Sequence, residues 1–132
     1  MKKIFFISLI MISVLGCKKT KFTPEGPTDV RVRNLSDVTF IEVIVNTSGG
    51  IDTLGNIGPG DHSEYYRFDK AFPKAEISAK INGDIFSTGP VNTTYMQYLG
   101  QDRITYEVFI SNMAKKEITI NDVIHDEPLV LK

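Results

Sequence analysis

Few side chains in this 132-residue chain could perform covalent chemistry. They are one thiol, Cys17, and two imidazoles, His62 and His125, the first of which adjoins Ser63. Neighbouring residues on a strand point to opposite faces, so His62 cannot activate the Ser63 hydroxyl. The sequence also has no G-x-S-x-G nucleophile elbow. We therefore expect no catalytic residue and no enzyme activity.

Both histidines lie among carboxylates, as metal ligands often do. The neighbours are Asp61 and Glu64 around His62, and Asp126 and Glu127 after His125. Neither cluster has the spacing of an H-E-x-x-H zinc motif or of an EF-hand loop. Carboxylates in turns are usually solvated or bonded to their own backbone. We expect neither a metal nor a cofactor.

The amino-terminal segment has the composition of an export signal. Met1-Lys2-Lys3 is followed by a 12-residue apolar run that ends at Leu15, and then by Gly16. This order of basic start, short apolar run and small residue is typical of a secretory signal peptide. The run is too short to cross a bilayer, which takes roughly 20 residues.

The segment Val14-Leu15-Gly16-Cys17 resembles the lipobox of bacterial lipoproteins, although Leu15 departs from the small or β-branched residue preferred at its position. The resemblance implies cleavage before Cys17, a diacylglycerol on its thiol and an acylated amino terminus. Acylation also accounts for a lone cysteine in an exported chain. Two or more acyl chains anchor a protein stably. Membrane lipid, reached through acylated Cys17, is thus the first expected partner.

The residues after Cys17 bear on the compartment. Aspartate directly after the cysteine resembles an inner-membrane retention signal of some diderm bacteria, and early acidic residues resemble a surface-export signal of others. Lys18 and Lys19 stand there instead, and the first acid is Glu25. The resemblance therefore implies a cell-envelope protein, anchored in the outer membrane and facing the periplasm.

Cleavage before Cys17 leaves 116 residues, with 13 basic and 16 acidic side chains and a net charge of about −3. This balance argues against nucleic acid as a partner, which requires a clustered basic face. We divide the chain into a signal peptide (1–16), the lipidated cysteine with a flexible polar tether (17–28) and one β domain (29–132).

Period-two alternation of apolar and polar residues dominates the domain and predicts strands with one face on a core. Val30 and Val32 alternate with arginines, whereas Ile44 interrupts the alternation of Ile41, Val43 and Val45. Strands are predicted near 29–34, 39–47, 51–57, 63–69, 75–81, 84–87, 103–111, 117–124 and 128–131.

Turn residues separate these strands. Asn82-Gly83 predicts a type I′ hairpin, because that turn needs positive φ at both central residues. Thr47-Ser48-Gly49-Gly50 predicts a second hairpin, and Gly58-Pro59-Gly60-Asp61 a turn.

Short strands with frequent turns indicate a β-sandwich or a barrel. The long irregular stretch 88–102 favours the sandwich, because it resembles a crossover between two sheets. Tyr106 is either the tyrosine of an immunoglobulin-like tyrosine corner or a plain core residue. In layout the whole chain resembles small bacterial lipoproteins that carry one immunoglobulin-like or transthyretin-like domain. The resemblance implies an all-β, immunoglobulin-like antiparallel sandwich of about seven to nine strands, and it implies no assigned role.

The candidate contact residues for a ligand or partner are Tyr95, Met96, Tyr98 and Leu99, all in the long stretch. Such side chains stack on a sugar, anchor a protein, or fold inward over the open end of the domain.

We expect a lipid-anchored, non-catalytic binding or assembly module, with strand addition at the first or last strand as its mode of association. Two alternatives stay open. One is a carbohydrate-binding accessory lipoprotein of a glycan-uptake system, and the other is a small hydrolase built on two converging carboxylates.

Overall fold

A computed structural model describes residues 23–128, and these residues form strands and turns. The eight strands are β1 (Thr28–Asn34), β2 (Phe40–Asn46), β3 (Ile51–Ile57), β4 (Tyr66–Phe68), β5 (Glu76–Ile81), β6 (Asp84–Ser87), β7 (Asp102–Asn112) and β8 (Glu117–Pro128). The predicted all-β class is confirmed. Within the same residues, no helix has the length and apolar character needed to cross a membrane.

All eight strands belong to one hydrogen-bonded sheet, in the order β3-β2-β5-β6-β8-β7-β1-β4. The pairs β1–β7 and β6–β8 are parallel, and the others are antiparallel. The terminal strands β3 and β4 approach each other, so the sheet curls into a nearly closed, barrel-like body. This pairing supports an all-β domain but does not single out the immunoglobulin-like sandwich. A crossover between two separate sheets is not needed, because β6 and β8 join the two halves.

The core fills the inside of this curled sheet, and it is built by the alternation seen in the sequence. Its fully buried members include Val30, Val32, Phe40, Val43, Val45, Ile57, Ile77, Ile81, Ile104, Tyr106, Val108 and Ile118. The intervening Arg31 and Arg33 lie on the outer face, where Arg33 is exposed and Arg31 is half-buried.

Strand β2 departs from the predicted pattern. Ile41 was expected beside Val43 and Val45 in the core, but Ile41 and Ile44 are both exposed. The register of β2 shifts between Ile41 and Ile44, and Glu42 has a φ of 48°. This bulge turns Ile41 outward, whereas Ile44 occupies an ordinary outward position between the buried Val43 and Val45.

The predicted turns are confirmed. Asn82 and Gly83 have φ values of 53° and 83°, as a type I′ turn requires. Thr47 donates its N–H to the carbonyl of Gly50 at 3.0 Å in the β2–β3 hairpin. Asp61 donates to Gly58 at 3.1 Å in the turn after β3.

Tyr106 is fully buried, and its hydroxyl donates a hydrogen bond to the carbonyl of Phe72. That carbonyl lies 34 residues upstream, so the bond ties β7 to the segment before β5 rather than forming a local corner. The tyrosine-corner interpretation is therefore wrong, and the plain core tyrosine is correct. Burial raises the pKa of the Tyr106 phenol well above its ordinary value.

The ends of the domain differ from the predicted boundaries. Gly26, Pro27 and Thr28 are buried, and Gln101 donates to the carbonyl of Thr23 at 2.9 Å. Packing therefore begins a few residues before residue 29. Strand β8 runs through residue 124 to Pro128 without the predicted break. The signal peptide, Cys17, residues 18–22 of the tether and residues 129–131 of the predicted last strand lie outside the described residues.

Candidate functional site

A groove opens in the sheet because β6 is much shorter than its neighbour β8. Strand β6 ends at Ser87, and the following Gly89-Pro90 cannot continue a ladder, since proline has no N–H to donate. Thr88 stays on β5: its N–H donates to the carbonyl of Ile77 at 2.9 Å. The chain then leaves the sheet, and the place that a longer β6 would occupy stays open.

This groove has a volume of about 490 Å³ and two walls. One wall is six consecutive residues of β8, Ile118–Val123. The other comes from the segment before β5 and the segment after β6, with Pro73, Lys74, Ala75, Thr88 and Val91. Ile118 and Ala75 are buried, and Ile120 and Val123 pack against the core. The floor of the groove is therefore apolar, which is the usual character of a binding cleft of this size.

The β8 wall exposes an unused strand edge. Residue pairs tie β8 to β7 from Glu117 to Pro128, whereas its only pair with β6 is Ser87 with Glu117. In an antiparallel pair, about half of the N–H and C=O groups of a strand point away from its partner. Within residues 23–128, no other strand takes up those groups of β8 beyond Glu117. The groove thus presents backbone donors and acceptors in a row.

The outer lip of the β8 wall is acidic. Asp122 lies directly opposite Glu107 of β7, which places two carboxylates on the same face of the sheet. Among the residues that the structure describes, neither forms an ion pair with a cation. Asp122 does accept a hydrogen bond from the N–H of Val123 at 2.8 Å. Lys74 stands on the opposite wall.

The four predicted contact residues lie apart from this groove lining and do not behave alike. The Tyr95 side chain is 96% exposed and Tyr98 is 45% exposed. Met96 is half-buried, and Leu99 packs against the core while its N–H donates to the carbonyl of Ala71 at 2.7 Å. The inward-folding interpretation thus holds for Leu99 and fails for the two tyrosines.

The fold brings the two histidine–carboxylate segments toward each other, but an arginine lies between them. Arg31 is 3.3 Å from the His62 Nε2 atom and 3.6 Å from Asp126 Oδ1. Its Nε donates to Thr105 Oγ1 at 2.8 Å. A guanidinium at this centre repels a metal cation. Within residues 23–128, no group of three or more His, Cys, Asp or Glu residues is arranged to hold a metal ion.

Tyr65 covers this arginine cluster. Its ring centre lies 4.7 Å from the guanidinium carbon of Arg31 and 5.1 Å from that of Arg103, which is cation–π distance. Its hydroxyl donates to Asp126 Oδ2 at 2.8 Å. Burial and this hydrogen bond raise the pKa of the Tyr65 phenol above its ordinary value. The cluster connects the segment before β4 to β1, β7 and β8, and we assign it a structural role.

Ser63 also has a structural position. It is buried, and its hydroxyl accepts the N–H of Val32 at 3.1 Å and donates to the carbonyl of Glu64 at 2.8 Å. His62 is exposed, and its Nδ1 lies 2.9 Å from the backbone carbonyl oxygen of Ser63. The imidazole therefore contacts the backbone of Ser63 rather than its hydroxyl.

The groove was missed at the sequence level, although two local signals point to it. A four-residue strand is closed by Gly89-Pro90, and an unusually long strand follows later in the chain. The sequence pattern does not predict that β6 and β8 are neighbours, because their pairing joins residues 30 positions apart and a local pattern carries no information on such pairs.

Comparisons with known proteins bear on the fold. No protein-family model and no curated protein matches the chain. A solved structure described as "NMR structure of the protein from Eubacterium rectale" is similar, with a TM-score of 0.53 and 12% sequence identity. The match covers 78% of this chain and 96% of the other. At this identity the likeness extends to the fold alone.

Proposed function

We propose that this chain is a lipid-anchored, non-catalytic binding or assembly module of the cell envelope, held through Cys17 and facing the periplasm in the layout of small bacterial lipoproteins. The observation that supports this proposal is the groove beside β8, where an unpaired strand edge lies over an apolar floor. Exposed edges pair readily with other chains, so proteins that do not use them usually cover or charge them. Here six residues of edge line a cleft large enough to receive a partner.

The sequence predicts two edges, the first strand and a last strand at 128–131, and residues 129–131 of the latter lie outside the described residues. Strand β1 was expected at a margin of the sheet, but it pairs with β4 on one side and with β7 on the other. The association that we propose therefore uses the interior gap between β6 and β8. A partner in this gap contacts β8 on one side and the segments 73–75 and 88–91 on the other, which increases the area buried beyond that of a simple edge.

Site-specific photo-cross-linking in the bacterium that makes the protein tests the proposal. A benzoylphenylalanine placed at Asn121, which is exposed and lines the groove, is expected to form a covalent adduct with a partner protein. The same probe at Asp52, exposed on β3 and outside the groove lining, is the control and should give no such adduct. Recovery of the monomer alone from both positions contradicts a protein-binding role for the groove.

The carbohydrate-binding alternative is the second candidate, because Tyr95 and Tyr98 are exposed in the 88–101 connection. Aromatic faces that stack on sugar rings require such exposure. A glycan array probed with the wild type and with Tyr95→Ala/Tyr98→Ala tests it. Binding that the double variant loses favours the sugar role, whereas a blank array with the wild type removes it.

A further inference from the structure

We infer that the groove receives an extended segment of another protein, which adds as a strand along β8 and places a lysine or arginine beside Asp122. This inference rests on the proposed function and names the chemistry of the partner. An extended peptide is the occupant because the β8 wall offers unpaired backbone groups on both sides of a bulge at Asn121, and another extended backbone can pair with such groups.

The length of the β8 wall matches one strand. The wall formed by Ile118–Val123 spans roughly 20 Å at about 3.3 Å per residue, the length of a typical strand of five or six residues. In the opposite wall, some backbone groups already form hydrogen bonds within the domain. The Thr88 hydroxyl accepts the N–H of Ile77 at 2.9 Å and donates to the carbonyl of Ala75 at 3.2 Å. The β8 wall is therefore the one that offers a free ladder.

The floor of the groove sets the inward side chains of the partner. Ile118, Ile120 and Val123 lie on the inner face of β8 and pack in or against the core, with the bulge at Asn121 between the last two. Because successive side chains of a strand alternate between faces, every second residue of an added strand meets this apolar surface. We therefore assign small or medium apolar residues to those positions.

The lip of the groove sets the outward side chains. Asp122 and Glu107 are cross-strand neighbours without a cation in ion-pair distance in the described part of the chain, and Lys74 lines the opposite wall of the groove. A basic residue at an outward position of the added strand relieves this like-charge repulsion. A second copy of this chain is disfavoured as the occupant, since pairing β8 with itself brings a second set of the same carboxylates to the gap.

Defined peptides test the inference on the purified mature chain in detergent. The probes are eight-residue peptides that alternate valine with lysine or valine with glutamate, with binding measured by calorimetry. We expect the lysine peptide to bind and the glutamate peptide to bind about threefold to tenfold more weakly. A difference of this size is typical when a few exposed charge pairs change from attractive to repulsive. A third probe is the lysine peptide N-methylated at alternate residues, in both registers. At least one register should lose binding, because it lacks the donors for β8.

Charge reversal supplies the matched control. Asp122→Lys should reverse the preference between the two peptides, whereas Asp52→Lys should leave it unchanged. Asp52 is a fair control because it is exposed on a strand and accepts the N–H of the next residue at 2.9 Å, as Asp122 does at 2.8 Å. Amide shifts confined to β8 and to residues 73–75 and 88–91 in NMR spectra would place the peptide in the groove.

Several outcomes overturn the inference. Equal binding of the two charged peptides removes the basic partner, and full binding of both methylated registers removes strand addition. Failure of every peptide overturns it as well, whether or not sedimentation shows a dimer. A partner cross-linked at Asn121 that shows none of these peptide properties would leave the proposed function standing and this inference wrong.

Discussion

Ser87 and Glu117 form the one residue pair that joins β6 to β8 in the part of the chain that the structure describes. The Ser87 N–H donates to the carbonyl of Lys116 at 3.2 Å, and no further pair follows along the two strands. This contact makes one continuous sheet out of two groups of strands. Because it stands at the very end of β6, it also leaves most of β8 open along one edge.

The wall of the groove opposite β8 depends on Thr88. Replacing Thr88 by valine keeps its shape but removes the hydroxyl that bonds to both Ile77 and Ala75, so we expect unfolding to become easier by about 1–2 kcal/mol. Urea denaturation measures the change. Thr53→Val on β3, where the exposed hydroxyl forms no hydrogen bond with another residue of 23–128, is the control and should be nearly neutral. Equal stability of the two variants contradicts the structural role of Thr88.

Tyr106 connects β7 to the backbone at Phe72. Tyr106→Phe removes only the hydroxyl and leaves a buried carbonyl without its donor, which should cost about 1–3 kcal/mol of stability. Thermal or urea unfolding of the variant and the wild type gives the difference. A stability within error of the wild type would show that water replaces the phenol and that the hydrogen bond from Tyr106 to Phe72 does not stabilise the fold.

The same residue makes the fold sensitive to alkali. Burial raises the pKa of Tyr106 above its ordinary 10.0, and the pKa of Tyr65 is also raised. Well below pH 10 both phenols are neutral in the folded and unfolded states, so they do not change the stability. Above pH 10 the unfolded chain loses these protons first, which lowers stability by up to about 1.4 kcal/mol per pH unit and per group.

Urea unfolding at pH 8 and pH 11 tests this linkage. The wild type should lose more stability over the interval than Tyr106→Phe, because the variant lacks one of the two ionisations. All other titratable groups, including Tyr65, are common to both proteins and cancel in the comparison. Parallel losses would mean that Tyr106 ionises equally easily in the folded and unfolded chains.

Cys17 lies outside the described residues, and its lipidation stays a prediction from the lipobox resemblance. Mass spectrometry of the amino-terminal peptide from isolated envelopes should find fatty acids on Cys17 and no residues before it. Cys17→Ala should lose this modification and leave the membrane fraction, whereas Lys18→Ala should retain both. A wild-type chain free of fatty acids, or a Cys17→Ala variant that stays in the membrane through its apolar run, would contradict the anchor.

The sequence predicted every strand that residues 23–128 contain, because alternation is a local consequence of burying one face of extended backbone. The turn at Asn82-Gly83 could also be predicted, because Asn and Gly adopt positive φ more easily than other residues. Ile41 was misplaced because a bulge at Glu42 has no clear local signal. The groove and the closure of the sheet depend on long-range pairing of β6 with β8 and of β1 with β7, which a local pattern does not specify.

The segment that contains Tyr95 and Tyr98 also shows what the local sequence can and cannot predict. Their aromatic side chains made them candidates for ligand contact, and their exposure leaves them available to a ligand. Leu99, three positions from Met96, instead faces the core. Composition therefore located the segment, but only the path of the chain over the domain decides which of its side chains are free.

Amide hydrogen exchange of the purified protein, resolved residue by residue by NMR, tests the open edge of β8 most directly. Between Ile118 and Val123, we expect the amides that point away from β7 to exchange at least about tenfold faster than those bonded to it, since only water competes for them. Uniformly slow exchange along this stretch would show that the edge is already paired in the isolated chain, and the groove could not then receive a strand.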